Sequence, residues 1–280
     1  MNFSTFALQQ DGAVLRLTFS NPPINLMNFK MVEELFQLAG RLQVDRSVKV
    51  VVLDSADPDF FIAHFDLNDV MAAGSDPRAA GKSPDINGVQ ALTLTWQMLP
   101  QITVAKINGR CRGGGLEFLL CLSMRFASTD SKFGFPEASA GFLASGGGAT
   151  RSAMSMGPAR ALEFLLSSRD FSGEEAERYG LINRALPVGE LDTYVEDLVC
   201  RLAKRSHAVV AMNREVVRRV FEPFVEPLFS ALAAENDGLR SGLAGEEMQA
   251  GFAALLAGGQ SREFELDLPG SLDKLLPVVK

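Results

Sequence analysis

Lys106-Ile107-Asn108-Gly109-Arg110-Cys111-Arg112-Gly113-Gly114-Gly115-Leu116-Glu117 decides how this chain is read. It opens on the end of a β-branched run, Ile102–Ile107, whose composition predicts a buried strand. An Asn-Gly step and a glycine triplet then lead into the apolar segment Leu116–Cys121, which predicts a helix. At such a helix start the first N–H groups have no intrahelical acceptor, and the helix dipole favours negative charge beside them. Three glycines let a ligand approach that backbone closely, although a tight turn between packed elements would need them equally. Glu117 adds a carboxylate to an otherwise apolar stretch. A charge there needs a partner, such as Arg110 or Arg112, or a function.

Working outward, strands and helices alternate. Ala13–Phe19 predicts a strand, closed by Asn21-Pro22-Pro23. Phe29, Val32, Leu35, Phe36, Ala39 and Leu42 recur at helical spacing over 29–43. Val48–Asp54 predicts a buried strand, followed by a turn at 55–59 and a mobile surface loop over 74–88. A helix is expected over 88–98, short strands over 124–129 and 132–134, and one helix over 150–168. Ser172 and Glu175 form a capping box, and Gly180 ends the helix they start. Beyond about residue 188 the pattern is helical, over 190–204, 207–221, 226–241 and 245–257. The tail from Gln260, with Pro269, Gly270 and Pro277, is expected to be extended. The sum is an α/β layered core with a helical C-terminal appendage.

Composition narrows the function. The chain has 280 residues, 47% of them hydrophobic, enough for a substantial core. A formal net charge of -7 argues against non-specific binding to nucleic acid or anionic membrane. Three dispersed cysteines fit a reducing compartment, and two histidines leave no basis for a multi-histidine metal centre. The N-terminus has no signal-peptide pattern, and apolar runs fall short of the about 20 residues a membrane span needs. A cytoplasmic protein is expected. There is no G-x-G-x-x-G after the first strand, no G-K-[ST] and no G-x-S-x-G, which argues against dinucleotide, P-loop and serine-hydrolase chemistry.

Two further segments can carry chemistry. Phe60–Leu67 forms a second strand-to-helix junction, with Ala63, His64, Phe65 and Asp66 at its turn; Asp66 alone would serve as a helix N-cap. Phe133-Gly134-Phe135-Pro136-Glu137 supplies a second glutamate, whose plain role is a helix-start carboxylate. Were Glu117 and Glu137 buried together, at least one would hold its proton more tightly than usual, which suits acid–base work. His64, as a lone histidine, reads more simply as a packing or capping residue than as a base.

In order and spacing, these motifs resemble the enoyl-CoA hydratase/isomerase (crotonase) family over about residues 5–257, helped by Asn21–Asn25, Phe61–Asp66 and Tyr179–Asn183. The resemblance implies a spiral of β-β-α units, here residues 1–200 with the CoA-ester site. A helical C-terminal region, 201–280, would serve trimerisation as a homotrimer or dimer of trimers. It implies an acyl-CoA thioester as substrate, with coenzyme A entering only as part of it and no bound cofactor or metal. The backbone N–H groups of Phe65 and Gly114 would hold the thioester oxygen, and Glu117 and Glu137 would act on a water. Ile24, Ala63, His64, Asp66, Gly113 and Arg112 would line the substrate or CoA site. The expected reaction is hydration of a 2-enoyl-CoA. The alternatives are a Δ3-Δ2 isomerase, an acyl-CoA hydrolase, a non-catalytic CoA-ester binder and an RNA-binding member of the fold. Four departures stand out: His64-Phe65 for a small pair, Asn68 for a basic residue, Ala144–Ala149 for a Pro-Gly-Ala-Gly-Gly-Thr stretch, and a charged Arg112. For Arg112 the orders of expectation are a surface position, a glutamate partner, and a reader of a carboxylated acyl group.

Overall fold

A computed structural model describes residues 3–74, 86–221, 225–243 and 245–275. The chain opens with a hairpin, β1 (Phe6–Asp11) and β2 (Val14–Phe19), paired antiparallel from Phe6↔Phe19 to Asp11↔Val14. Its two-residue turn is Gly12-Ala13, with Gly12 at φ 54, a conformation that favours glycine. Strand β1 was not expected from composition, because Gln9, Gln10 and Asp11 dilute its apolar alternation. Helix α1 (Phe29–Leu42) follows, capped by Asn28, whose side chain accepts the Met31 N–H at 2.8 Å.

Each later turn of the chain lays one strand in each of two sheets. Strand β3 (Val50–Ser55) joins the large sheet and β4 (Phe60–Ile62) the small one, before α2 (Leu67–Gly74) and α3 (Gly88–Gln97). Then come β5 (Ile102–Ile107), β6 (Arg110–Arg112) and α4 (Gly113–Leu119). Next are β7 (Met124–Ser128), β8 (Lys132–Gly134) and a short 3-10 turn, Glu137–Ala140. The large sheet runs β1-β2-β3-β5-β7-β10 and the small one β4-β6-β8-β9; every pair is parallel except β1–β2 and β8–β9. This is a β-β-α spiral. Between the layers lie Leu17, Phe19, Leu35, Trp96, Phe118 and Phe133, all but inaccessible to solvent.

The expected helix over 150–168 is two helices, α5 (Gly148–Met156) and α6 (Pro158–Leu166). The break is chemical: Gly157 takes φ 77, and a residue before proline is disfavoured in the helical region. Strand β9 (Phe171–Ser172) leads to α7 (Gly173–Tyr179), where Ser172 and Glu175 make both bonds of the capping box and Gly180 ends the helix at φ 80. Strand β10 (Arg184–Leu186) completes the large sheet. Four helices follow: α8 (Val188–Ala203), α9 (His207–Phe221), α10 (Val225–Leu243) and α11 (Glu246–Gly258).

Over its described part, to residue 275, the tail is helical rather than extended, and Pro277 lies outside the described residues. Ser261 caps α12 (Arg262–Leu266), and α13 (Leu268–Leu275) follows. Pro269 and Gly270 are tolerated because they fall in the first turn of α13, where a missing N–H costs nothing. Residues 75–85 of the expected surface loop lie outside the described residues.

Candidate active site

Strands β4 and β6 are parallel neighbours, so the chain leaves both at the same end of the small sheet. Each strand runs into a helix start there, at 63–66 and at 113–115. The two junctions therefore meet. A Cβ placed on Gly114 would lie 2.8 Å from the Phe65 Cβ and 3.4 Å from the Phe65 nitrogen. A Cβ on Gly113 would meet Glu137 Oε1 at 2.8 Å, and one on Gly115 would meet Ile62 Cγ2 at 2.6 Å. The glycine triplet is thus required by close approach from three different neighbours.

The direction of the Phe65 N–H follows from peptide geometry. In a trans peptide the C=O and N–H point opposite ways. The His64 carbonyl accepts the Met27 N–H at 2.8 Å, and Asp66 N–H donates to the Met27 carbonyl at 2.7 Å. The Phe65 N–H consequently projects away from Met27. Among the described residues no acceptor takes it, nor the Gly114 N–H in the first turn of α4.

Both glutamates are buried, Glu117 at 5% and Glu137 at 8% exposure. Glu117 is not paired with Arg110 or Arg112. Its Oε1 accepts the N–H groups of Gly146 at 2.6 Å and Gly148 at 3.1 Å. The divergent Ala144–Ala149 stretch is thus the cradle of this carboxylate. Burial, then the charges of Glu137 and Glu235, push the Glu117 carboxyl well above its ordinary range, against the pull of the two amides. Burial also raises Glu137, opposed by its own backbone amide and by His64. Two like-charged carboxyls buried in one site will not both ionise readily. The Glu137 Oε2 is buried and has no hydrogen-bond partner among the described residues.

A cleft opens beside Glu137, His64 and Phe65. Leu67, Val70, Phe142, Leu255, Phe264 and Leu268 make its apolar walls, so α11, α12 and α13 close it.

The other expected site residues divide. Ile24 and Ala63 are fully buried against Phe60 and Leu26. Asp66 caps α2, accepting the Asn68 N–H at 2.9 Å and the Gln260 side chain at 3.1 Å. Gly113 packs between Glu137 and His64. Arg112 is not a surface residue, as was first expected, but 1% exposed. It is tied to Asp170 at 2.7 and 2.6 Å and to the Glu265 carbonyl at 2.8 Å. A buried guanidinium needs such partners, and these leave it no free fork for an acyl carboxylate. Glu235, Glu265 and Asp170 escaped the sequence reading. Each lies on a segment whose local pattern is that of an ordinary amphipathic helix or turn.

The enoyl-CoA hydratase/isomerase family model matches residues 9–260. A probable enoyl-CoA hydratase of Mycobacterium bovis is 27% identical over 264 residues, 91% of this chain and 96% of that protein. The carnitinyl-CoA dehydratase of Proteus mirabilis is 29% identical over 219 residues, 77% of this chain and 80% of its own. The crystal structure of a candidate enoyl-CoA hydratase from Streptomyces avermitilis superposes with a TM-score of 0.88 at 33% identity. It covers 98% of this chain and 99% of that one. The crotonase-like fold expected from the motifs is thereby shown, and the chain belongs to the enoyl-CoA hydratase/isomerase family.

Proposed function

We propose that this chain hydrates a 2-enoyl-CoA thioester to a 3-hydroxyacyl-CoA. The observation that carries the reading is the meeting of two N–H groups, of Phe65 and Gly114, left without an acceptor among the described residues, beside two buried glutamates. The thioester oxygen accepts both N–H groups. As one glutamate takes a proton from water, the water oxygen bonds to C3 and the C2=C3 electron pair moves toward the thioester oxygen. The enolate then collapses, and C2 takes a proton from the other, protonated glutamate. One water is consumed, and proton exchange between the two acids restores the starting state. Preorganised donors of this kind are each worth about 10²–10³ in rate.

The raised proton affinity of both acids supports this division of labour, since one is kept protonated near neutral pH while the other is ionised. The apolar cleft suits an unsubstituted acyl chain. CoA enters as part of the substrate, and the scheme needs no separate cofactor. The exposed face of α9, with Val209, Met212, Val216, Val217 and Val220, supports self-association through the C-terminal helices.

The test is to follow loss of the conjugated-thioester absorbance of crotonyl-CoA with purified protein. Turnover by the wild type, lost in Glu117→Gln and Glu137→Gln while CoA-ester affinity stays within about tenfold, is the expected result. Binding without turnover in the wild type would leave a CoA-ester binder instead.

A further inference from the structure

His64 stands one residue before the Phe65 amide, and neither of its ring nitrogens faces solvent unpaired. Nδ1 lies 2.7 Å from the Phe65 carbonyl oxygen. A carbonyl can only accept, so Nδ1 carries a hydrogen. Nε2 lies 2.9 Å from Glu265 Oε1. Either Nε2 also carries a hydrogen, making the ring an imidazolium, or Glu265 holds the shared proton. Glu265 has a second basic neighbour: its Oε2 is 3.7 Å from Arg112 Nη1, and its carbonyl accepts the same nitrogen. Arg112 in turn is clamped by Asp170. The charges alternate along a line from half-buried Asp170 through buried Arg112 and Glu265 to His64, and the line ends at the cleft that Glu137 also lines. The positive charge of Arg112 beside Glu265 favours the shared proton on the imidazole.

We propose that Glu265 keeps His64 as an imidazolium, placing a fixed positive charge beside the Phe65 amide and the Glu137 carboxyl. This rests on the reading of Phe65 and Glu137 as parts of the active site. His64 and Glu265 are positioning residues: both ring nitrogens of His64 and Oε1 of Glu265 are spent on one another and on the backbone, and Glu265 Oε2 is buried beside Arg112 with no hydrogen-bond partner among the described residues. The effect is to divide the two acids. Glu117 faces the negative charges of Glu137 and Glu235, whereas Glu137 faces the positive charge of His64. Unequal surroundings of this kind separate an acid from a base. The proton affinity of His64 agrees. Burial pulls it down, and the charge and hydrogen bond of Glu265, the Phe65 carbonyl and the charge of Glu137 outweigh that pull and raise it. Helix α12 thus acts on the active site through a residue 201 positions from His64. The helix is held in place by Arg110 on the Leu266 carbonyl and Arg262 on Asp57.

The chain's two histidines make the charge state measurable. In the 15N-labelled full-length protein, His207→Gln identifies the His64 signals. The expected result is an imidazolium from pH 6 to 8 in the wild type. In Glu265→Gln the ring should become neutral, at or below the usual histidine value of about 6.5. In the same variant the Glu137 carboxyl band, assigned by infrared difference against Glu137→Gln, should ionise about one pH unit or more higher. If crotonyl-CoA is turned over, the acid limb of kcat/KM should rise with it, with KM changed less than about threefold. A neutral His64 at pH 7 in the wild type overturns the proposal, as does a Glu137 band that ionises at the same pH in both proteins. Neither spectroscopic arm needs turnover, so failure of the hydratase reading is seen separately.

Discussion

Glu117 and Glu235 take alternate amides of one glycine loop. Gly146 and Gly148 donate to Glu117, while Gly147 and Thr150 donate to Glu235 at 2.8 and 2.6 Å. The Thr150 hydroxyl and the Gln90 side chain complete the shell of Glu235, which is 4% exposed. A helix of the C-terminal region thereby fixes the loop that holds a glutamate of the core. Removing the carboxylate leaves those donors buried without an acceptor. Glu235→Ala is expected to lower stability by about 2–4 kcal/mol, as the urea midpoint will report. Glu235→Gln keeps the volume but removes a negative charge facing Glu117, so Glu117 should release its proton at lower pH. An unmoved Glu117 titration would show that the two carboxyls do not interact.

The contact between Gly114 and Phe65 gives a second expectation. Alanine at 114 requires its Cβ to sit 2.8 Å from the Phe65 Cβ, far inside normal contact, so the two junctions must part. In the proposed mechanism, donors that part no longer converge on the thioester oxygen. Gly114→Ala should cut kcat by about 10²–10³, the usual scale for losing one oxyanion donor. The fold should survive, because the clash is met by a loop rather than by a strand. Steady-state kinetics beside a far-ultraviolet dichroism spectrum will separate a lost donor from a lost fold.

The buried acids also set a pH dependence of stability. Glu137 binds its proton more tightly folded than unfolded, because burial penalises its charged form. Between the unfolded value of about 4.3 and the higher folded value, the native state binds more protons than the denatured one. Its contribution is therefore full below the unfolded value and falls as pH rises through the folded one. Glu137→Gln, which carries no charge, should match the wild type near pH 4 and exceed it near pH 9, by about 1–3 kcal/mol. Melting at both pH values decides this, and the more stable variant should be the less active one.

Much of this was legible in the residue pattern. Ile102–Ile107 and the glycine triplet declare themselves because strand composition and backbone approach are local requirements. The capping box at Ser172 and Glu175 is local too. The partners of the catalytic candidates are not. Glu235 reaches Gly147 across 88 positions, and Glu265 reaches His64 across 201. On their own helices both look like surface carboxylates, and only tertiary packing buries them. Arg112 misled for the same reason, since its partner Asp170 arrives from the turn before β9. The Gly157-Pro158 break and the helical tail are different cases. There the local signals were present, but proline was read as a breaker where, in α13, it sits harmlessly in a first turn.

Strand β1, the weakest in sequence, is held from outside the sheet. Glu34 on α1 accepts the Ser4 N–H at 3.0 Å and the Thr5 N–H at 3.0 Å, and both hydroxyls at 2.8 and 2.7 Å. Burial alone would raise this carboxyl, but the four donors overcome it and hold it at about 2. A lowered value means that the stabilisation is complete above the unfolded value of about 4.3 and disappears as pH falls through about 2. Glu34→Ala should therefore cost about 1–3 kcal/mol at pH 7 and much less at pH 2. The loss should fall first on the hairpin, whose Phe6–Asp11 amides would exchange faster while those of β5 and β7 keep their protection. Hydrogen exchange resolved along the chain measures this. Uniform loss of protection across the large sheet would mean that β1 is not a separately held edge but part of one cooperative unit.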